Sequence, residues 1–367
     1  VLEGIRILDF SQYLPGPHAT LRLVDMGAEV IKVESPQGDP SRPSTNKKGD
    51  GLVFNTQNRN KKSIVLNLKE EDDRQIALNL IRDADVVLEG FRPGVVARLG
   101  ISYEDVIKVK EDIIYCSLSG YGQTGPLSQL GGHDINYLSW SGTLAQFKDQ
   151  TGRPVQPSTT IADFVGGISA SEAILAALVK KLRTGEGSYI DLSITDTLLS
   201  LMSNHVVHES ITGEEHGIPR LNNKHVCYYI YETKDGRYVS LGALEPKFWT
   251  NLCTALNKLS WIPDHFSLAE PNNPVFEELK DMFSSRTLEE WTKFAQEVDC
   301  CLAPVLETSE VHQQPLFTER EMIVEKDGIR QISTRFSPAQ DIKTHSVPPG
   351  LGQHTVEFKE KYENKVY

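Results

Sequence analysis

Near the start of the chain a short apolar run, a helical pattern and a second apolar run follow one another, joined by links of a few residues. Gly4 to Phe10 (GIRILDF) reads as a buried strand, His18 to Met26 places apolar residues at helical spacing, and Glu29 to Glu34 (EVIKVE) is strand-like again. Two parallel strands need a long crossover between them, and a helix supplies it, so the segment is a βαβ unit. The alternation continues with a strand at Ser63 to Leu68, a helix at Glu71 to Asp83, a strand at Ala84 to Glu89, a short helix at Val95 to Arg98 and a strand at Ile113 to Leu118. Such a pattern predicts an α/β fold, a Rossmann-like large domain built on a parallel, doubly wound sheet.

From Asp163 to Thr184 a long helical pattern carries Gly166, Gly167, Ser169, Ala170, Ala173, Ala176 and Ala177, small residues that let a helix pack closely on its neighbours. Gly185 is its expected stop, and Tyr189 to Ser193 the next strand. Beyond residue 200 the character changes. Thr212 to Lys224 is polar and turn-rich, after which Tyr228 to Tyr231 and Tyr238 to Leu241 read as strands around a Lys234-Asp235-Gly236 turn. The expected organisation is a large domain over 1–200 completed by 325–367, a linker at 201–224, a smaller α/β domain at 225–310 and a second linker at 311–324.

Charge narrows the function classes. Fifty acidic against 38 basic residues leave a formal charge of -12, which argues against a general binder of nucleic acid or anionic membrane, since either favours a basic face. An anionic small molecule would need a local basic site. No run approaches the roughly 18 apolar residues of a membrane span, and the first residues read as strand rather than as a basic, apolar targeting segment. Five cysteines, Cys116, Cys227, Cys253, Cys300 and Cys301, form no C-x-x-C pair. An odd, irregular set suits a reducing compartment, so the cytoplasm is expected, with an organelle matrix as the alternative.

Several motifs have both a structural and a chemical reading. Gly120-Tyr121-Gly122-Gln123-Thr124-Gly125 matches G-x-G-x-x-G after a strand, but Pro126 follows at once and no acidic residue ends a strand about 20 positions on. A tight loop is the better reading. Arg59, Lys61, Lys62 and Lys69 concentrate positive charge in an acidic chain, as a solvated face or as a cradle for phosphates. Gly90-Phe91-Arg92-Pro93-Gly94 follows a strand at the carboxyl end, where open α/β sheets bind ligands, and Arg98 lies just under two helical turns beyond Arg92. Among His133, Asp134 and Asn136 one residue caps a starting helix, which accounts for the aspartate or asparagine better than for the histidine. Asp163 has a structural reading as an N-cap, and Glu245 one as a surface turn residue.

Taken together, LPGPHA at 14–19, NRNKKSI at 58–64, GFRPGV at 90–95, GYGQTGP followed by GGHDINY, IADFVGG at 161–167 and LGALEPKFW at 241–249 resemble the family III CoA-transferase superfamily, on its racemase branch. The histidine of GHDINY and the glutamate of GALEP mark the branch. The resemblance implies a second, small α/β domain and an interlocked homodimer. Its ligand would be an acyl-CoA thioester, with CoA contacts at Leu66, Asn67, Leu68 and Lys69, at Gly90, Phe91, Arg92 and Arg98, and at Gly132, Asp134, Ile135, Asn136 and Tyr137. One departure is Glu34-Ser35-Pro36, where many members carry an acid-Arg-Pro pattern; Arg42 and Arg59 are the candidates to replace that cation.

The implied chemistry is racemisation at the carbon beside the thioester, with His133 and Asp163 as the two proton-transfer groups on opposite faces and Glu245 orienting His133. Backbone amides near Asp134 would stabilise the enolate oxygen. Neither a metal nor a redox cofactor is expected, CoA being part of the substrate. One alternative is a CoA transferase in which Asp163 attacks the thioester and forms a mixed anhydride. The other is a non-catalytic acyl-CoA binder, which has no use for His133, Asp163 and Glu245 together. The branched fatty, sterol-derived or aryl character of the acyl chain is not encoded legibly in apolar lining candidates such as Leu14, Tyr137, Trp140 and the residues near Tyr228.

Overall fold

The computed structural model describes residues 1–44, 51–149, 151–326, 329–333 and 346–362. By internal contacts the chain divides into two compact units, Val1–Ser203 with Arg320–Tyr367, and Asn204–Glu319.

The first unit begins β1 (Arg6–Asp9), α1 (Pro15–Asp25), β2 (Glu29–Glu34), α2 (Leu52–Gln57), β3 (Lys62–Val65), α3 (Glu71–Arg82), β4 (Val86–Glu89), α4 (Val95–Arg98) and α5 (Tyr103–Val106). It continues with β5 (Ile114–Ser119), α6 (Asp134–Trp140), α7 (Ile161–Thr184), β6 (Ser188–Ser193) and α8 (Ile194–Leu201). The six strands form one parallel sheet in the order β3-β2-β1-β4-β5-β6, so the expected doubly wound sheet is the one observed. Both faces are covered, which explains why the strands read as unbroken apolar runs: Ile7, Leu8, Val86, Val87 and Leu88 are fully buried. Alternate residues serve two cores. Ile7, Val86, Leu88, Ile114 and Cys116 pack with residues of α1, α6, α7 and α8, while Leu8, Val87 and Tyr115 pack with α3 and the C-terminal helix.

Strand order reverses between β1 and β4, which sets the chain after Asp9 beside the chain after Glu89. Close approach there depends on glycine. A Cβ on Gly16 would lie 2.2 Å from the Ser11 side chain, and one on Gly167 in α7 would lie 2.6 Å from the Pro15 carbonyl oxygen. Helix α7 is therefore pressed against the start of α1. At 24 residues it is also long and apolar enough to cross a membrane, contrary to the sequence-based expectation that no segment is. Here it packs on α1, α6, α8 and the strands β5 and β6.

The second unit begins within α9 (Ser203–Thr212) and continues with β7 (Tyr228–Glu232), β8 (Tyr238–Gly242), α10 (Pro246–Ala255), α11 (Pro274–Ser284), α12 (Leu288–Glu297), β9 (Leu302–Pro304), α13 (Thr308–Val311) and α14 (Pro315–Thr318). The expected hairpin is present as antiparallel β7-β8, to which β9 adds a third strand. Its core centres on Trp249, Trp261 and Trp291, whose indole N–H groups are satisfied where a buried donor must be: Trp249 donates to the Trp261 carbonyl at 3.0 Å and Trp291 to the Phe283 carbonyl at 2.8 Å.

The chain then returns to the first unit with an antiparallel pair, β10 (Ile323–Lys326) and β11 (Ile329–Ile332), and with α15 (Thr355–Tyr362). β3 is an edge strand, and the returning chain covers it. His354 N–H donates to the Ser63 carbonyl at 2.9 Å, and Val65 N–H donates to Thr355 Oγ1 at 2.9 Å. Two short helices escape the sequence reading, α2 and α5, although the Ser102–Asp105 capping box of α5 is a legible signal. The segment 201–224, read as linker, carries α9 in its first half, and 311–324 carries α14.

Candidate functional site

A polar cluster lies where α6 and α7 begin. His133 occupies the N-cap position of α6 in an extended conformation; its backbone N–H donates to Asn136 Oδ1 at 3.0 Å, and its residue is exposed. The turn is thus closed by the asparagine. Asp134, the first residue of α6, turns its carboxylate toward another helix. Its Oδ1 accepts from the Ala162 N–H at 2.6 Å and from the Asp163 N–H at 3.2 Å. The N-cap residue of α7 itself, Thr160, makes no side-chain bond, so the otherwise unmet amides of α7 are met from α6. The structural reading of Asp163 as an N-cap is therefore corrected: Asp163 is the third residue of α7, and Asp134 does the capping.

This arrangement sets the charge state of Asp163. Burial first, and then the negative charge of Asp134, push its carboxyl up from the ordinary aspartate range to about 7. Its protonated form thus persists far above the usual aspartate range. Tyr137, on the next turn of α6, donates its hydroxyl to the Gly132 carbonyl at 2.6 Å and meets Tyr121 edge to face at 5.3 Å. Burial, followed by the charge of Asp163, pushes its phenol up to about 12, so it stays protonated as a donor. A Cβ on Gly120 would lie 2.4 Å from the Tyr137 ring, and one on Gly132 2.7 Å from both the Tyr121 hydroxyl and the Tyr137 ring. Gly122 and Gly125 have positive φ. The literal G-x-G-x-x-G is thus a tight loop folded over two tyrosines, as expected.

The arginine loop meets the same region. A Cβ on Gly131 would lie 2.5 Å from Arg92 Nη2, so the exposed Arg92 side chain lies against the glycine pair that precedes His133. Arg98, also exposed, packs its guanidinium near Gly94. Phe91 N–H donates to Glu89 Oε2 at 2.8 Å, which fixes the first bend of the Gly90-Phe91-Arg92 loop. After β3, Leu66 and Leu68 point into the core while Asn67 folds the turn: its N–H donates to Asp73 at 2.7 Å and its side-chain oxygen accepts from the Lys69 N–H at 3.3 Å. Lys69 is exposed. Ile135 is half-buried, and Asn136 is exposed. Glu245 belongs to the second unit, where it is the exposed N-cap residue of α10.

Three of the four residues of the basic cluster are ion-paired, while Lys69 alone is exposed. Arg59 is buried and ion-paired with Asp25, Lys61 is buried against Asp9 at 3.2 Å, and Lys62 pairs with Glu29 at 2.7 Å. Burial lowers the Lys61 ammonium to about 8 even with Asp9 beside it. Arg42 grips Glu34 with two nitrogens, at 2.7 and 2.6 Å, over the Phe54 ring. Arg42 and Arg59 are thus already committed to carboxylates, and neither stands in for a cation at Ser35.

Two titratable groups went unnoticed in the sequence. Glu89 closes β4 at the strand-order reversal, nearly fully buried, and burial raises its carboxyl to about 7. His18, inside the LPGPHA motif, is buried with Nδ1 2.9 Å from Gln57 Oε1 and its ring edge-on to Phe164 at 4.8 Å. Burial holds its pKa down at about 4, so a neutral imidazole backs the residue after Asp163. Position at a strand's carboxyl end was the available signal for Glu89.

The sequence model of CoA-transferase family III matches residues 2–355. The chain belongs to this family. Among its relatives, succinyl-CoA:glutarate CoA-transferase of Mus musculus is 32% identical over 96% of this chain and 84% of its own length. Alpha-methylacyl-CoA racemase of Homo sapiens is 31% identical over 98% of this chain and 93% of its own length. Of solved structures, Rv3272 from M. tuberculosis superposes with a TM-score of 0.83 at 29% identity, covering 97% of this chain and 98% of that one. Membership in CoA-transferase family III makes this an enzyme family member whose relatives include both transferases and racemases at near-equal identity.

Proposed function

We propose that this family III member is a racemase of 2-methylacyl-CoA thioesters, interconverting the two configurations at the carbon beside the carbonyl by 1,1-proton transfer. The observation that carries this reading is the buried Asp163 carboxyl, raised to about 7, on a residue whose own amide bonds Asp134 of the helix begun by His133. A group that must be an acid for one enantiomer and a base for the other works best with a pKa near the operating pH.

In one direction neutral His133 removes the α-proton and protonated Asp163 delivers its proton to the opposite face of the enolate. In the other, Asp163 carboxylate removes the proton and His133 imidazolium returns one. The pair holds one proton in either starting state, so each turnover leaves the enzyme ready for the reverse reaction. The thioester α-carbon is far less acidic than either group, so the enolate oxygen also needs stabilisation, which the first amides of α6 would supply. No step draws on a metal or redox cofactor. Arg92 and Lys69, both exposed, are assigned to the CoA phosphates.

The second reading, transfer of CoA between carboxylic acids through an Asp163 mixed anhydride, is favoured by the transferases among the relatives. Incubation with a single enantiomer of a 2-methylacyl-CoA in D₂O separates the two. Racemisation with α-deuterium uptake, lost in His133→Ala and in Asp163→Ala, supports the racemase. Absence of exchange, with acceptor-dependent CoA transfer and an aspartyl adduct trapped by hydroxylamine, establishes the transferase instead.

A further inference from the structure

We infer that Asp134 is a positioning residue for this site: its side-chain carboxylate locks the first turn of α7 to the first residue of α6 and holds a fixed negative charge against the Asp163 carboxyl. The inference deepens the proposed function and rests on its assignment of Asp163 as a proton-transfer group.

Three observations carry it. First, Asp134 Oδ1 bonds two successive amides of α7, Ala162 at 2.6 Å and Asp163 at 3.2 Å, across 28 and 29 residues of chain. The contact is tertiary, and it joins the helix whose N-cap is His133 to the helix that carries Asp163. Second, α7 offers those amides no cap of its own, since Thr160 makes no side-chain bond. Third, an aspartate in the first turn of a 24-residue helix would ordinarily be stabilised as carboxylate by the free amides and the helix dipole. Here Asp134 occupies those amides, and its charge opposes the second one.

The other titratable groups around Asp163 do not supply this effect. Tyr137 on α6 stays protonated and neutral. From α1, His18 is neutral against Phe164, and Arg22 lies two turns farther along α7, bonded to Ser171 Oγ at 3.0 Å. The apolar residues of β5 and β6 that face α7, such as Ile114, Cys116 and Leu192, bring burial without charge.

The test compares Asp134→Asn, which keeps an oxygen acceptor for the cap but removes the charge, with Asp134→Ala, which removes both. The full chain is labelled with carboxyl ¹³C-aspartate, the Asp163 signal is assigned by its absence in Asp163→Asn, and its titration is followed without substrate. In Asp134→Asn the midpoint falls by about one pH unit or more, and the bell-shaped pH profile of α-proton exchange moves acidward with it. Amide exchange at Ala162 and Asp163 stays slow in Asp134→Asn and accelerates at least tenfold in Asp134→Ala. An unmoved Asp163 titration in Asp134→Asn overturns the inference, as does unchanged amide protection in Asp134→Ala. Both readouts are independent of turnover, so a failure of the racemase reading shows separately, as absent exchange in the unaltered protein.

Discussion

Replacing Asp163 by Asn should stabilise the protein at alkaline pH and leave it unchanged in acid. The Asp163 carboxyl stands at about 7 against a reference of 3.8, a displacement of about three units at about 1.36 kcal/mol each, or about 4 kcal/mol as an upper figure. Partial solvent access reduces the observable to about 2–4 kcal/mol. The sign follows from proton binding. Between about pH 4 and pH 7 the folded state holds a proton on Asp163 that the unfolded chain has released, so stability falls as pH rises through this window and levels off above it. Asparagine resembles the protonated acid and never ionises. The variant should therefore match the parent near pH 4 and exceed it progressively, reaching the full difference by about pH 8. Paired urea unfolding curves of the two full-length chains across that range give the difference directly, and the other titrating groups cancel. A difference that stays flat with pH would refute the reasoning, because it would mean that Asp163 ionises at its ordinary pKa. The same variant should lose racemisation, so that a site suited to proton transfer is held at some expense of stability.

Lys61→Met should cost about 3–5 kcal/mol by stranding buried Asp9, and adding Asp9→Asn should recover most of it; urea midpoints decide, and a double variant no better than the single one counts against the pairing. Gly167→Ala should destabilise by about 1–3 kcal/mol, because the new methyl would lie 2.6 Å from the Pro15 carbonyl oxygen, again read by urea unfolding. Arg92→Ala should raise KM for acyl-CoA by about tenfold or more with kcat little changed, since a phosphate contact remote from the chemistry contributes to ground and transition states alike. Steady-state kinetics at fixed ionic strength check it, and a loss confined to kcat would place Arg92 elsewhere.

The sheet was legible because its central strands are buried on both faces. EVIKVE is observed as β2 over Glu29–Glu34, the expected bounds, with Val30, Ile31 and Val33 buried and Lys32 buried in an ion pair with Asp39 at 2.9 Å. α4 likewise keeps its expected Val95–Arg98. The basic cluster was misread for an equally physical reason. Arg59, Lys61 and Lys62 are neutralised by Asp25, Asp9 and Glu29, partners on α1, β1 and β2 that sit more than 30 residues away, and local charge density carries no record of them. The sequence read Asp134 as a candidate cap of its own helix and, by resemblance, as a ligand contact. Its actual partners, the amides of Ala162 and Asp163, lie on another helix.

The Asp134 contact bears on which of the two proposed reactions Asp163 would serve. An attacking carboxylate should be ionised at rest, and an N-terminal helical position with free amides favours that state. A group that must alternate between acid and base needs the two states near balance instead. In this chain the amides of α7 are taken by Asp134, burial withdraws water, and Asp163 arrives at about 7. On the proposed reading, the balance between acid and carboxylate at Asp163 is set first by burial and then by the Asp134 charge that caps its helix. A chain that kept Asp163 but left those amides free would hold a carboxylate ready to attack, and would be short of the protonated form that reprotonating an enolate requires.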